Sequence, residues 1–165
     1  MLWDEALAFE VVDKDLLGRI GRLKTKRGVV ETPLLLPVVN PLVQPLSPRE
    51  MEREFNCQAL IANAYLLRKN FGEDVKAIGV HDFLEFERVV MTDSGGYQIL
   101  VYGDVDVAPS EITEFEEAID TDIAVILDVP TGWDMPRDRA QYSVEETLRR
   151  AGLTFASLKR DDILW

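Results

Sequence analysis

Two carboxylates, Asp93 and Asp128, each close an apolar run, and each precedes residues that break regular structure: Ser94-Gly95-Gly96 after the first, Val129-Pro130 after the second. A carboxylate partly withdrawn from water at a strand end can hold the N–H donors of a purine-like base. It can also serve as acid or base once its pKa is shifted. The same positions suit a plainer use, with Asp93 or Ser94 capping a helix in a tight turn and Asp128 as a cap or turn residue. Paired glycines permit unusual backbone angles and the close approach of a ligand. Asn63, Tyr97 and Gln98 complete the set. Tyr97 can stack on a flat ligand or fill a core, and Asn63 and Gln98 can bond a ligand or satisfy loop backbone. His81 is the one histidine, which excludes a His-based triad or a His-rich metal site, and it reads as a helix-start residue. Cys57 is the one cysteine, without a basic neighbour in sequence, and reads as a small buried residue. No zinc ligand set, phosphate loop or dinucleotide fingerprint is present.

The elements that must position these residues follow from the hydrophobic pattern. Leu7 to Val12 and Leu17 to Leu23 read as an N-terminal β-hairpin, with a further turn at Lys26-Arg27-Gly28 leading into Val29-Val30-Glu31. Leu34 to Val39 reads as a strand buried on both faces, interrupted by Pro37. Ser47-Pro48-Arg49-Glu50 is a capping box that predicts a helix over Pro48 to Phe55. Gln58 to Ala62 and Val89-Val90 read as short strands, Phe71 to Phe86 as short helices, and Ile112, Phe115 and Ile119 as one face of an acidic helix. Ile123 to Leu127 is the clearest buried strand. Val144, Leu148, Ala151, Phe155 and Leu158 predict a long helix with one apolar stripe toward a core; Ser143 and Glu146 offer it a capping box, or it begins earlier, near Pro136. Ile163-Leu164-Trp165 resembles the start of a fifth strand. Strand and helix thus alternate four times, which means a parallel sheet covered by helices. Function in such folds gathers at the carboxyl ends of the strands, where Asn63, Asp93 and Asp128 all fall.

Composition narrows the class. A chain of 165 residues, 47% hydrophobic and 29% charged, is ordinary globular material for about one domain. No apolar run approaches the ~18 residues of a membrane span, and the acidic Met1 to Glu5 is no signal peptide start. A lone cysteine fits a reducing, cytoplasmic setting. Net charge is -12, which argues against general nucleic-acid binding. The charge is uneven: Arg19, Arg22, Lys24, Lys26 and Arg27 form a basic end, and Gly103 to Asp122 carries eight acids and no base. Each reads first as solvated surface.

Val90-Met91-Thr92-Asp93-Ser94-Gly95-Gly96-Tyr97-Gln98 closely resembles the central motif of tRNA-guanine transglycosylases. Val30 to Val38, Leu60 to Leu66 and Leu127 to Thr131 resemble, in order, the first, second and fourth barrel strands of that family. Tyr102-Gly103-Asp104-Val105 and the acidic helix after it look like the archaeal branch, which makes archaeosine. The resemblance covers nearly the whole chain. It implies a (β/α)8 barrel of the TIM type, of which residues 1–165 would be about the first half behind the N-terminal β-hairpin; a complete barrel needs ~250 residues. It implies exchange of a D-arm guanine of tRNA for 7-cyano-7-deazaguanine through a covalent ribosyl-enzyme intermediate, a two-carboxylate reaction on a base taken out of its stack.

By motif position, Asp93 would be the catalytic acid/base. Tyr97 would stack on the base, Ser94 and Asp128 would hydrogen-bond it, Gln98 would join them, and Asn63 would lie near the ribose or support Asp93. The family's nucleophilic aspartate, later base-binding loops, structural zinc ligands and RNA-binding domain are not in these residues. The expectation is therefore one wall of an active site, with no cofactor of its own and with tRNA, guanine and 7-deazaguanine bases as partners. A second chain or C-terminal half would supply the nucleophile. Open sheet edges lead us to expect self-association, possible as a homo-oligomer, unless that half is present. Two other readings stay open: a non-catalytic relative that binds tRNA or a partner subunit, and an unrelated small α/β domain for another ring-shaped metabolite.

Overall fold

The computed structural model describes residues 8–98 and 107–165. The acidic start at Met1 to Glu5 and the Tyr102 to Val105 stretch lie outside the described residues. Strands β1 (Ala8–Asp15), β2 (Gly18–Thr25) and β3 (Gly28–Thr32) form an antiparallel sheet in the order β1-β2-β3, so the expected hairpin carries a third strand. Strands β4 (Val38–Val39), β5 (Ala59–Asn63), β6 (Val89–Asp93) and β7 (Ile123–Ala124) form a second, parallel sheet in chain order. The helices are α1 (Pro48–Phe55), α2 (Ala64–Ile78), α3 (Val80–Leu84), α4 (Pro109–Ala118) and α5 (Arg137–Ser157). The fold is mixed α/β with a parallel sheet. Its core packs Leu60, Ala62 and Val90 of the sheet against Leu67, Ile112 and Phe115 of the helices and Ile119 just after α4, all of them buried. No helix of the described residues is long and apolar enough to cross a membrane.

Local signals account for several boundaries. Ser47 accepts the Glu50 N–H while the Glu50 carboxylate accepts the Ser47 N–H, so the capping box starts α1 where the spacing predicts. Helix α2 begins at Ala64, seven residues before the expected helical stretch at Phe71, because the Asn63 side chain caps it by accepting the Leu66 N–H at 2.9 Å. Leu164 bridges Ile123 in parallel, exchanging bonds with Asp122 and Ala124, which is the ladder expected of a fifth strand.

Three expectations fail for physical reasons. Leu34 to Val39 is not a strand buried on both faces: only Val38–Val39 pairs, and Leu35 and Val38 are exposed. Pro37 lacks an N–H, and β4 is the outermost strand of the described sheet. Ile123 to Leu127 pairs only over Ile123–Ala124, and its ladder with β6 stops one residue short of Asp93. The apolar stripe of α5 does not face the core. Val144, Leu148 and Phe155 are 57%, 67% and 57% exposed. The inward face is instead polar, at Ser143, Thr147, Arg150 and Thr154. The segment after β7 has no ladder, so its backbone needs side-chain partners. Thr147 accepts the Val129 N–H at 2.9 Å, and Arg150 donates to the carbonyls of Leu127 and Asp128. Ser143 therefore lies inside α5, bonded to the Arg139 carbonyl, and caps nothing.

Charged and small residues also depart from the bland reading. Glu116, Glu117 and Asp122 of the acidic stretch are buried rather than solvated. Cys57 is half-buried, and burial pushes its thiol pKa up. His81 does start α3, but it is buried, with Nδ1 3.1 Å from the Phe86 carbonyl and Nε2 3.2 Å from Asp122.

Candidate functional site

Parallel pairing sets Asn63 of β5 beside Asp93 of β6 at the carboxyl end of the sheet. Asn63 Nδ2 donates to Asp93 Oδ2 and to Gln98 Oε1, each at 2.9 Å, while its oxygen caps α2. One amide thus locks strand, helix and loop together, and Asn63 serves both uses its type allowed. Beyond Asp93 the chain enters the glycine pair. Gly95 has φ +101°, and a Cβ there would stand 2.7 Å from Tyr65 Cβ. A Cβ on Gly96 would stand 1.7 Å from Asp128 Oδ1. The loop can pass between Tyr65 and Asp128 only without side chains, and that passage brings Asp128 up to the Asp93 loop.

The Asp93 carboxyl is more than half buried and faces no cation in its immediate set. Burial pushes its pKa above the ordinary value, and the nearby charge of Asp128 adds to the rise. The Gly95 N–H and the Asn63 amide work in the opposite direction. Behind it stands Glu116 of α4, whose carboxyl is fully buried and accepts the Thr92 hydroxyl at 2.8 Å. Burial holds its pKa well above the carboxylate range.

A cavity of about 370 Å³ opens over this end of the sheet, within the range of small-molecule sites. Val39, Ile61 and Leu66 make its apolar wall, and Asn63, Asp93, Tyr97 and Gln98 bring polar groups to it. Tyr97 is 65% exposed, so it is no core residue. Larger surface hollows lie near Arg49 and near Arg22, without this convergence of amide, carboxylate and aromatic ring. Two expected site residues stand apart. Ser94 is fully buried and its hydroxyl donates to the Ile126 carbonyl at 2.8 Å, fastening the loop rather than lining the cavity. Asp128 is half-buried against Gly96 and does not line the cavity, though its charge reaches Asp93.

Residues 13–164 match the family model described as queuine tRNA-ribosyltransferase. The chain belongs to that family. Among curated relatives, the tRNA-guanine(15) transglycosylase of Aeropyrum pernix is 48% identical over 157 residues, covering 95% of this chain and 30% of the relative. That of Pyrobaculum aerophilum is 46% identical over 159 residues, 96% of this chain and 31% of the relative. That of Sulfolobus acidocaldarius is 42% identical over 159 residues, 95% of this chain and 31% of the relative. The chain spans about 30% of the length of these family members.

Every residue of the candidate site falls within the family match. A structural zinc does not fit the residues present. Cys57 Sγ is hydrogen-bonded to the Ala59 carbonyl, His81 Nδ1 lies 3.1 Å from the Phe86 carbonyl, and the described residues contain no group of three or more His, Cys, Asp or Glu able to hold a metal. Two residues near this end of the sheet escaped the sequence reading. Nothing in the sequence marks Arg150 as a backbone donor at Asp128. Glu116 did carry a signal: it lies four residues after Ile112, on the buried stripe of an acidic helix.

Proposed function

We propose that this chain forms the base-binding wall of a tRNA-guanine transglycosylase, about half of a (β/α)8 barrel, that exchanges the guanine at position 15 of tRNA for 7-cyano-7-deazaguanine in archaeosine formation. The observation that carries this reading is the setting of Asp93: at a strand end, raised in pKa by burial, and open to a cavity flanked by Tyr97 and Gln98. The names of its relatives, tRNA-guanine(15) transglycosylases, support the position.

Breaking the N-glycosidic bond leaves an electron pair on the departing guanine and positive character on the ribose. Asp93, protonated more readily than an ordinary aspartate, gives its proton to the leaving base. A nucleophilic carboxylate from outside these residues bonds C1′ as the base departs. The incoming 7-deazaguanine gives a proton back to Asp93 as its ring nitrogen displaces that carboxylate. Tyr97 stacks on the base, Gln98 and Asn63 hold it and Asp93 in register, and Asp128 accepts N–H donors from its Watson–Crick edge once the base enters. Ser94 keeps the loop in place and turns to the base only by leaving Ile126. The protein works in the cytoplasm on tRNA, and a second chain or C-terminal half completes the site.

The test is incorporation of labelled guanine into archaeal-type tRNA, with this chain alone and with the remainder of the barrel supplied. Exchange in the assembled mixture, lost in Asp93→Asn, is the expected result. Assembly without exchange would overturn the catalytic reading and leave a tRNA-binding or partner-binding relative.

A further inference from the structure

The parallel ladder between β6 and β7 stops at Thr92 and Ala124, one residue short of Asp93. At that break Glu116 reaches in from α4. Its carboxyl accepts the Thr92 hydroxyl at 2.8 Å and faces the Val125 N–H, which favours its charged form. Its other oxygen, Oε2, is buried with no partner among the described residues. Its neighbour Glu117 faces elsewhere, accepting the N–H groups of Lys159 and Arg160. We propose that Glu116 is a positioning residue for Asp93: by bridging Thr92 on β6 to Val125 after β7, its carboxyl group sets the separation of the strand ends that carry Asp93 and Asp128. This rests on the reading of Asp93 as the working acid/base.

Three observations bear the inference. The bridge occupies the place where the next ladder hydrogen bonds would be, beside a long Thr92 hydroxyl contact to the Ile123 carbonyl at 3.5 Å and the Ser94 bond to Ile126. The side chain is fully buried with no cation beside it, and an unpaired buried charge is far more costly than a neutral acid, so Glu116 bridges as the acid. The neutral form also matters electrostatically. Asp93 already has Asp128 as a like-charged neighbour, and an ionised Glu116 would put a third negative charge at the same strand end. A hydrocarbon would fill the volume but drop both bonds. A glutamine would keep both and carry no charge.

The test reads the Asp93 carboxyl directly, by carbon-detected NMR titration of this chain in wild type, Glu116→Gln, Thr92→Val and Thr92→Ser. The Gln variant and the Ser variant, which keep the bridge, should hold the Asp93 midpoint where the wild type has it. Thr92→Val, which removes one end, should let water reach Asp93 and move the midpoint down toward an ordinary aspartate. Thermal melts give a second reading. A carboxyl whose folded pKa is raised makes the fold lose stability as pH climbs from the unfolded value to the folded one. The melting temperature of Glu116→Gln should therefore gain on wild type as pH rises from about 4 to 7. An unmoved midpoint in Thr92→Val, an equal movement in Glu116→Gln, or a pH-independent difference in melting temperature would each overturn the proposal. No readout passes through guanine exchange, so an inactive chain would count against the proposed function alone.

Discussion

The two ends of the parallel sheet hold the same residue types in opposite electrostatic states. At the amino ends, below Val89 and Ile123, carboxylates meet cations. Lys26 lies 2.8 Å from Asp120 and 3.6 Å from Asp162, Arg160 contacts both, and Arg27 stands 3.9 Å from Asp122. Burial opposes ionisation of Asp120, yet Lys26 and Arg160 together hold its pKa below the ordinary value. The Arg160 guanidinium holds Asp162 down at about 2. At the carboxyl ends, Asp93 and Glu116 have amide, hydroxyl and backbone partners instead of cations, and burial pushes both upward. Paired carboxylates hold the fold together, here by tying the β2–β3 turn to the base of the sheet. Unpaired ones are left able to take up and release protons, the mark of a working site.

The sharpest way to break this contrast is to neutralise one carboxylate at each end. Asp93→Asn should cut guanine exchange in the assembled enzyme by about 10²–10⁴-fold, the usual contribution of a general acid/base. Its stability should be unchanged or slightly raised, since a like charge beside Asp128 is gone. Asp122→Ala at the other end should do the reverse. Asp122 is fully buried, accepts the Val90 N–H at 2.8 Å and lies 3.2 Å from His81, so its loss should cost about 3–5 kcal/mol in chemical denaturation. An Asp122→Ala chain as stable as wild type would dissolve the distinction between the two ends.

Gly96→Ala sharpens the picture at the site. The added methyl cannot coexist with Asp128 Oδ1, so we expect a loss of about 1–3 kcal/mol and a fall in exchange as Asp128 is pushed away. The smallest effect concerns acid. The Asp162 pKa is depressed in the fold, so its contribution is present above the unfolded value of about 4 and is lost as pH falls toward 2. Asp162→Asn should lower neutral stability slightly, by less than about 1 kcal/mol because the pair is partly exposed, and its melting temperature should converge on wild type as pH falls through that window.

Much of the site was legible before any coordinates. Strand ends and a glycine pair placed Asn63, Asp93, Tyr97 and Gln98 on one rim, and the structure gathers those four at one cavity. The orientation of Ser94 was not legible, because only the position of Ile126 decides that its hydroxyl turns inward. Helix α5 misled for a related reason. Its apolar stripe announced an amphipathic helix correctly, but the period cannot say which stripe meets the described fold. Thr147 and Arg150 face inward because the segment after β7 has backbone groups left unpaired.

By itself the sequence determined the alternation of strand and helix, the capping of α1, and the rim on which two carboxylates, an amide and an aromatic ring would fall. These are local matters, written in periodicity and in residues whose backbone preferences act within a few positions. Tertiary structure alone decided the charge state each acid would favour. Asp93, Glu116, Asp120 and Asp162 are alike in sequence, and a carboxyl pKa depends on what burial removes and on which cations long-range folding brings near. Lys26 reaches Asp120 across 94 residues, and among the described residues no cation comes to Glu116.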